Sequence, residues 1–154
     1  MGLLSPFLKK KKSFFSPEEE ESIVRAIGQA EKKTSGEIRI YIENHCKFLD
    51  PIDRAKELFL ELEMFKTKDR NGVLLYFAMQ DRQVAIRGDE GIHQKMGQEF
   101  WNAEIKTILH EFKEKHFVEG ICHMIQDVGN ALQTNFPYEK DDRNELSDEI
   151  LFGK

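Results

Sequence analysis

The chain has 154 residues, of which 40% are hydrophobic and 33% are charged, and its formal net charge is −5. This length suits one domain with a single hydrophobic core, and the balance of apolar and charged residues excludes the fibrous and collagen-like classes. The negative net charge gives the protein as a whole no electrostatic reason to bind nucleic acid.

Residues 1–15 are predicted to form an arm ahead of the first helix. The arm holds four apolar residues followed by four lysines: Leu3, Leu4, Phe7, Leu8, Lys9, Lys10, Lys11 and Lys12. This combination favours weak contact with anionic lipid, to which each lysine near the surface contributes about 1 kcal/mol. The alternative is a disordered start whose phenylalanines, Phe14 and Phe15, pack onto the first helix. The apolar region is too short for a secretory signal or a membrane span, so we expect a cytoplasmic protein, peripheral at the inner membrane face if the arm binds lipid.

The first helix is predicted to begin at Ser16-Pro17-Glu18-Glu19, a capping box with proline at the first helical position. Apolar residues then recur at helical spacing up to the stop signal Thr34-Ser35-Gly36. After this stop the apolar period changes to two, because Ile38, Ile40 and Ile42 alternate with polar residues. The alternation predicts a strand with one well-buried face.

A second helix, beginning at Pro51, leads to the strongest strand signal in the chain. Asn71-Gly72 marks a turn, and the run Val73 to Met79 is apolar on both faces, as a central strand covered by helices on each side requires. The chain then reverses at Asp81-Arg82 into an alternating strand from Val84 to Ile86. We expect a parallel crossover from the first strand to the central strand, followed by an antiparallel hairpin.

Two longer helices and a tail complete the chain. One helix carries an apolar stripe from Trp101 to Phe112, with a short helical piece from Ile92 to Met96 before it, and the other runs from Phe117 to Leu132. Residues 137–154 are acidic and lack periodicity, so we expect them to wrap the surface or remain mobile. The predicted fold class is α/β: a Rossmann-like, three-layer α/β/α sandwich with a small mixed β-sheet and helices on both faces, formed by residues 16–136.

Four short motifs, taken in chain order, resemble one known domain family. They are Ser35-Gly36-Glu37, Asn71 to Leu75, Asp81-Arg82 with the alternating strand that follows, and Gly88-Asp89-Glu90-Gly91-Ile92. Together they resemble the TPM domain family over roughly residues 16–136, and the specificity lies in their order. The resemblance implies an α/β/α sandwich and, for some members, weak acid phosphatase activity and divalent cation binding.

Candidate cation ligands gather at one edge of the predicted sheet. If the strands run as expected, the starts of the first two strands and the end of the third lie together, which brings Glu37, Asn71, Asp89 and Glu90 to that edge. Carboxylate and amide oxygens are the hard ligands that Ca²⁺ or Mg²⁺ prefers. One interpretation is a weak cation site formed by Glu37, Asn71 and Asp89. The competing interpretation is that these residues are helix caps and turn formers.

The opposite edge of the sheet offers a second candidate, because ligands of open α/β sheets usually bind beyond the carboxyl ends of parallel strands. Asn44, His45, Asp81 and Arg82 would lie there. Arg82 would hold a phosphate group bidentately while Asp81 binds a cation or orients water. Asp81-Arg82 is equally what an exposed hairpin turn needs. We favour the edge that carries the motifs, because three separate segments converge on it.

No catalytic residue can be named from the sequence. A P-loop, a GxGxxG fingerprint and a GxSxG serine are all missing, and Cys46 and Cys122 have no CxxC spacing. We therefore predict a TPM-like module that recognises an unidentified protein partner and has a weak Ca²⁺ or Mg²⁺ site. The alternative is a low-rate, metal-dependent acid phosphatase acting on phosphomonoesters.

Overall fold

A computed structural model describes residues 14–48, 50–138 and 149–153. The helices in this part of the chain are α1 (Pro17–Glu31), α2 (Pro51–Glu61), α3 (Glu90–Met96), α4 (Gln98–Lys113) and α5 (Phe117–Asn135). The strands are β1 (Glu37–Glu43), β2 (Gly72–Ala78), β3 (Gln83–Gly88) and β4 (Ile150–Phe152). The lysines predicted to contact a membrane, Lys9 to Lys12, lie outside the described residues, as does most of the acidic tail.

The four strands form one mixed sheet in the order β3-β2-β1-β4. β1 runs parallel to β2, with Glu37 opposite Gly72, and β2 pairs with β3 in an antiparallel hairpin, with Val73 opposite Gly88. β2 is an interior strand and every one of its residues is buried, because helices cover it on both faces. The predicted parallel pair, hairpin and central strand are confirmed.

Helices cover the two faces of the sheet unequally. On one face α2 is the single helix that the described residues supply, and its Leu58 and Phe59 form a cluster with Leu74 and Tyr76 of β2. On the other face α1, α4 and α5 pack over the remaining apolar side chains of the strands. The predicted three-layer α/β/α architecture is therefore confirmed. Within the described ranges, no helix is long and apolar enough to cross a membrane.

The structure near the start of the domain was predicted from the sequence, whereas the strand near its end was not. The capping box at Ser16 and Glu19 is formed, and Phe15 is buried in the same cluster as Ile23 of α1. The tail, for which no element was predicted, contributes β4, which runs parallel to β1. A strand of three residues after an acidic segment is too short to show periodicity, so only its pairing with β1 reveals it.

Candidate functional site

The three predicted cation ligands lie at one edge of the sheet, which we call the motif edge. Glu37 opens β1, Asn71 immediately precedes β2, and Asp89 immediately follows β3. The strand register brings these positions together, since Glu37 lies opposite Gly72 and Val73 lies opposite Gly88. All three side chains are buried, with relative exposures of 3% for Glu37, 1% for Asn71 and 5% for Asp89. Burial of three polar groups at the same edge requires that they find partners.

Asn71 has one polar atom without a partner. Its backbone N–H donates to Thr67 Oγ1 at 3.1 Å, and its side-chain Nδ2 donates to Ser35 Oγ at 3.2 Å. Its Oδ1 atom is buried and accepts no hydrogen bond within the described residues. A buried carbonyl oxygen without a donor costs about 1–3 kcal/mol, so the motif edge presents an acceptor that a bound group would satisfy.

Asp89 is held in place by two neighbours. Arg70 donates to both of its carboxylate oxygens, with Nε to Oδ2 at 2.7 Å and Nη2 to Oδ1 at 2.9 Å. The backbone N–H of Glu90 donates to Asp89 Oδ1 at 2.8 Å, so Asp89 also caps α3. Arg70 has a left-handed backbone, with φ of 51°, which is uncommon for a residue other than glycine. The cap and turn interpretation therefore describes Asp89 as the structure has it, and a cation would have to displace Arg70 to reach this carboxylate.

The donor set of the motif edge suits a hard cation only in part. Carboxylate and amide oxygens are the right chemistry for Ca²⁺ or Mg²⁺, and the unsatisfied Asn71 Oδ1 fits a ligand position. In the part of the chain that the structure describes, however, no group of three or more His, Cys, Asp or Glu side chains is arranged to hold a metal ion. A cation at this edge would need the Asn71 amide together with Glu37 and a released Asp89.

At the opposite edge, Asp81 and Arg82 contact different parts of the protein. Asp81 Oδ1 lies 2.8 Å from His45 Nδ1, and Asp81 Oδ2 accepts from the backbone N–H of Cys46 at 2.7 Å. The hydrogen bond with His45 and then that with the Cys46 backbone hold the pKa of Asp81 below its usual value. Arg82 instead donates to the Phe112 carbonyl at 3.3 Å, and its guanidinium lies 5.5 Å from the centre of the Phe117 ring. The two side chains do not form a common phosphate clamp.

A further cleft, which the sequence did not predict, lies beside the motif edge. It has a volume of about 370 Å³, and its lining includes Lys56 of α2, Arg87 of β3, and His93 and Trp101 of α3 and α4. We call it the β3 cleft. Trp101 Nε1 lies 3.0 Å from His93 Nδ1, and because an indole N–H can only donate, His93 Nδ1 is the acceptor in this contact. His93 and Trp101 lie on different helices, so sequence spacing gave no signal for this pair.

Comparison with known proteins shows a matching domain family and solved structures with the same fold. The model of the TPM domain family matches residues 8–131. The chain belongs to the TPM domain family. Its structure is similar to the solution structure of the BA42 protein from the psychrophilic bacterium Bizionia argentinensis, with 41% sequence identity, a TM-score of 0.85, and coverage of 94% of this chain and 99% of that one.

A second solved structure shares the fold of this TPM domain. It is the N-terminal domain of the cg2496 protein from Corynebacterium glutamicum, with 12% identity, a TM-score of 0.61, and coverage of 90% of this chain and 80% of that one. At this identity the likeness concerns the fold alone. No curated protein matches the chain.

The TPM domain also contains an acidic pair that sequence reasoning missed. Glu104 of α4 hydrogen-bonds to Asp127 of α5, and burial followed by this hydrogen bond raises the pKa of Glu104 to about 8. The residues lie on separate helices of ordinary amphipathic pattern, and only the packing of α4 against α5 brings them together.

Proposed function

We propose that this TPM domain is a binding module that takes a divalent cation weakly at the motif edge and recognises a protein partner without turnover. The observation that carries the cation proposal is the buried Asn71 Oδ1, which has no donor among the described residues. Glu37 and Asp89 supply carboxylates at the same edge. Ca²⁺ or Mg²⁺ would take the amide oxygen as a ligand and remove the cost of leaving it unsatisfied.

Arg70 accounts for weak affinity. Its guanidinium occupies both oxygens of Asp89, so cation binding exchanges one positive charge for another at that carboxylate. Arg70 is 43% exposed on its side chain, so it can move into solvent without breaking the core. The net free energy gained on binding is the difference between the cation–Asp89 and Arg70–Asp89 interactions. It is smaller than the free energy gained at a site whose carboxylates have no competing partner.

Arg70→Gln is expected to raise the affinity for Ca²⁺ by about tenfold, or about 1.4 kcal/mol, because Asp89 no longer has a competing cation. Titration of Ca²⁺ and Mg²⁺ with backbone amide shifts as the readout should give changes confined to residues near Glu37, Asn71 and Asp89. Asn71→Leu should abolish these changes.

Arg25→Gln is the matched control for the charge change, because Arg25 lies in an exposed pair with Glu21 on α1. It should leave the titration unchanged. Absence of localised shifts near Asp89 in the wild type, or a weaker affinity in Arg70→Gln, would contradict the cation proposal.

Support for recognition rather than turnover comes from the hydrogen bonds of the candidate bases. His45 places Nδ1 on Asp81, and no hydroxyl or thiol of the described residues hydrogen-bonds to its other ring nitrogen. The Cys46 thiol donates to the Phe48 carbonyl instead. A nucleophile hydrogen-bonded to a base is the usual signature of covalent catalysis, and the hydrogen bonds of the described residues at the two edges of the sheet include no such pair.

A low-rate, metal-dependent acid phosphatase is the second candidate. The observation that favours it is the β3 cleft, where Lys56 and Arg87 lie close to the acidic end of β3 and provide cationic groups for a phosphomonoester. Phosphate ester hydrolysis needs a very large acceleration, and cationic side chains alone do not provide it. This candidate requires metal ions at Asp89 or Asp81 to activate water.

We expect purified protein to release no more p-nitrophenol from p-nitrophenyl phosphate than a metal-only blank, across acidic to neutral pH. The assay includes Mg²⁺, Ca²⁺ and chelator arms and the variants Asp89→Asn and Asp81→Asn. Activity that copurifies with the protein, depends on metal and falls at least tenfold in either variant would establish the phosphatase and reject the binding module.

A further inference from the structure

The outer side of β3 has no strand paired to it in the described part of the chain. β3 lies at one end of the sheet, next to β2 only, and the β3 cleft runs along this side with Ile86 and Gly88 in its lining. α2 flanks the cleft on one face of the sheet, and α3 and α4 flank it on the other. An edge strand between helices offers a groove in which an extended chain can lie.

The register shows which backbone groups of β3 point into this groove. The N–H of Asp89 donates to the carbonyl of Gly72, its opposite residue, at 2.9 Å. In an antiparallel pair, hydrogen-bonded and non-hydrogen-bonded positions alternate, so Arg87 and Ala85 bond to β2 while Gly88 and Ile86 do not. The N–H and C=O groups of Gly88 and Ile86 therefore point away from β2, toward the cleft.

Charge distinguishes this groove from the rest of an acidic protein, because the two carboxylates in its lining, Asp89 and Glu90, are both paired with Arg70. Lys56 and Arg87 are both exposed, and neither forms an ion pair within the described residues. Arg87 lies 5.8 Å from the centre of the Phe59 ring of α2, which places its guanidinium on the same face of the sheet as Lys56. The neighbouring Ile52 side chain is 48% exposed. Two unpaired cations beside an exposed apolar group match an acidic partner with apolar side chains.

We propose that the β3 cleft docks an extended, acidic peptide segment of a protein partner, which pairs with β3 as an additional strand. This inference rests on the proposed function and gives the partner a site and a chemistry. The backbone of Ile86 and Gly88 supplies affinity, and the side-chain alternation supplies selectivity. In the docked peptide, the residue opposite Arg87 faces α2 and carries a carboxylate. The peptide residues opposite Ile86 and Gly88 face Trp101 and are small and apolar.

The probe is a terminally blocked peptide of alternating glutamate and valine, which satisfies this alternation. Its first control has lysine in place of glutamate. Its second control keeps every side chain but carries N-methyl groups on the amides that would pair with β3, so it cannot donate hydrogen bonds. Glutarate and inorganic phosphate serve as small anions without a backbone.

Amide hydrogen exchange measures strand pairing directly. In the unbound protein, the amides of Ile86 and Gly88 should exchange rapidly, whereas those of Ala85 and Arg87 are already bonded to β2. The glutamate-valine peptide should slow exchange at Ile86 and Gly88 by about tenfold or more, with little effect at Ala85 and Arg87. The N-methylated peptide and the small anions should give no such protection.

Charge reversal tests the selectivity. Lys56→Glu should lower the affinity for the glutamate-valine peptide by about tenfold and raise the affinity for the lysine-valine peptide, because the charge at this position of the cleft is reversed. Lys106→Glu is the matched control, since it makes the same charge change on α4 outside the cleft, and it should alter neither affinity.

Two results would overturn the docking proposal. One is a shift of Lys56 and Arg87 resonances without protection of Ile86 and Gly88, which would mean that the cleft binds small anions only. The other is no binding of the peptide at all, which would mean that Lys56 and Arg87 only keep the edge solvated. Neither result affects the cation titration, which is carried out without peptide, so failure of the docking site and failure of the cation site are distinguishable.

Discussion

Arg54→Ala is expected to lower the free energy of unfolding by about 3–5 kcal/mol, the usual cost of removing one partner from a buried ion pair. Arg54 of α2 and Glu43 of β1 are each 7% exposed. Urea unfolding followed by circular dichroism measures the change. This is the largest loss that we expect from any single charged side chain of the described residues.

The cost arises from the carboxylate that the substitution leaves behind. Arg54 Nε donates to Glu43 Oε2 at 2.9 Å, and Arg54 Nη2 donates to Glu43 Oε1 at 3.1 Å. The hydroxyl of Tyr76 also donates to Glu43. These hydrogen bonds with Glu43 raise the pKa of Arg54 above its ordinary value, so the guanidinium stays charged. Without Arg54, the buried Glu43 carboxylate would keep, among the described residues, only the Tyr76 hydroxyl as a side-chain hydrogen-bond partner.

Glu57→Gln is the control for the outer arm of this network. Glu57 also hydrogen-bonds to Arg54, but its side chain is 36% exposed, so its loss should cost less than about 1 kcal/mol. The double variant Arg54→Met with Glu43→Leu should recover part of the stability, because apolar replacement of both partners removes the unpaired charge, although the buried Tyr76 hydroxyl loses Glu43 as its acceptor. A loss in Arg54→Ala no larger than that in Glu57→Gln would contradict the buried-pair explanation.

The elements with a strong local pattern could be predicted from sequence. The run Val73 to Met79 is apolar on both faces, and only an interior strand under two helical layers buries both faces of such a run. The capping box at Ser16 carries its own hydrogen-bond donors and acceptors within one turn. These features depend on neighbours in the chain, so the sequence contains nearly all the information that defines them.

Features that depend on distant partners could not be predicted. Glu43 lies on the polar face of β1 and Arg54 follows an ordinary helix pattern, so neither suggests burial until α2 packs against the sheet. The same holds for the candidate site. The sequence brought Asn71 and Asp89 to one edge through strand order, but it did not show that Arg70 holds Asp89 or that Asn71 Oδ1 lacks a donor.

Gly91→Ala is expected to lower the free energy of unfolding by about 3 kcal/mol, at the upper end of the usual cost of overpacking. A Cβ atom on Gly91 would lie 2.2 Å from the carbonyl oxygen of Asp69 and 2.6 Å from that of Arg70. Both are backbone atoms, so no side-chain rotation relieves the overlap. The Gly91 N–H donates to the Arg70 carbonyl at 2.8 Å, and α3 and the segment before β2 would have to separate.

This separation connects the stability of the fold to the motif edge. Asn71 lies on the displaced segment and Asp89 caps α3, so Gly91→Ala should separate two of the proposed cation ligands. Because this separation outweighs the release of Asp89 from Arg70, cation affinity should fall together with stability. Gly120→Ala is the matched control, because its Cβ would lie 3.0 Å from the Cβ of Glu111, a contact that a helix displacement of a few tenths of an ångström relieves, and alanine offsets this cost by favouring the helix by about 1 kcal/mol. We expect it to be near neutral in urea unfolding and in the Ca²⁺ titration. If Gly91→Ala kept wild-type stability, α3 could not be packed against the backbone of residues 69 and 70, and the geometry of the motif edge would be wrong.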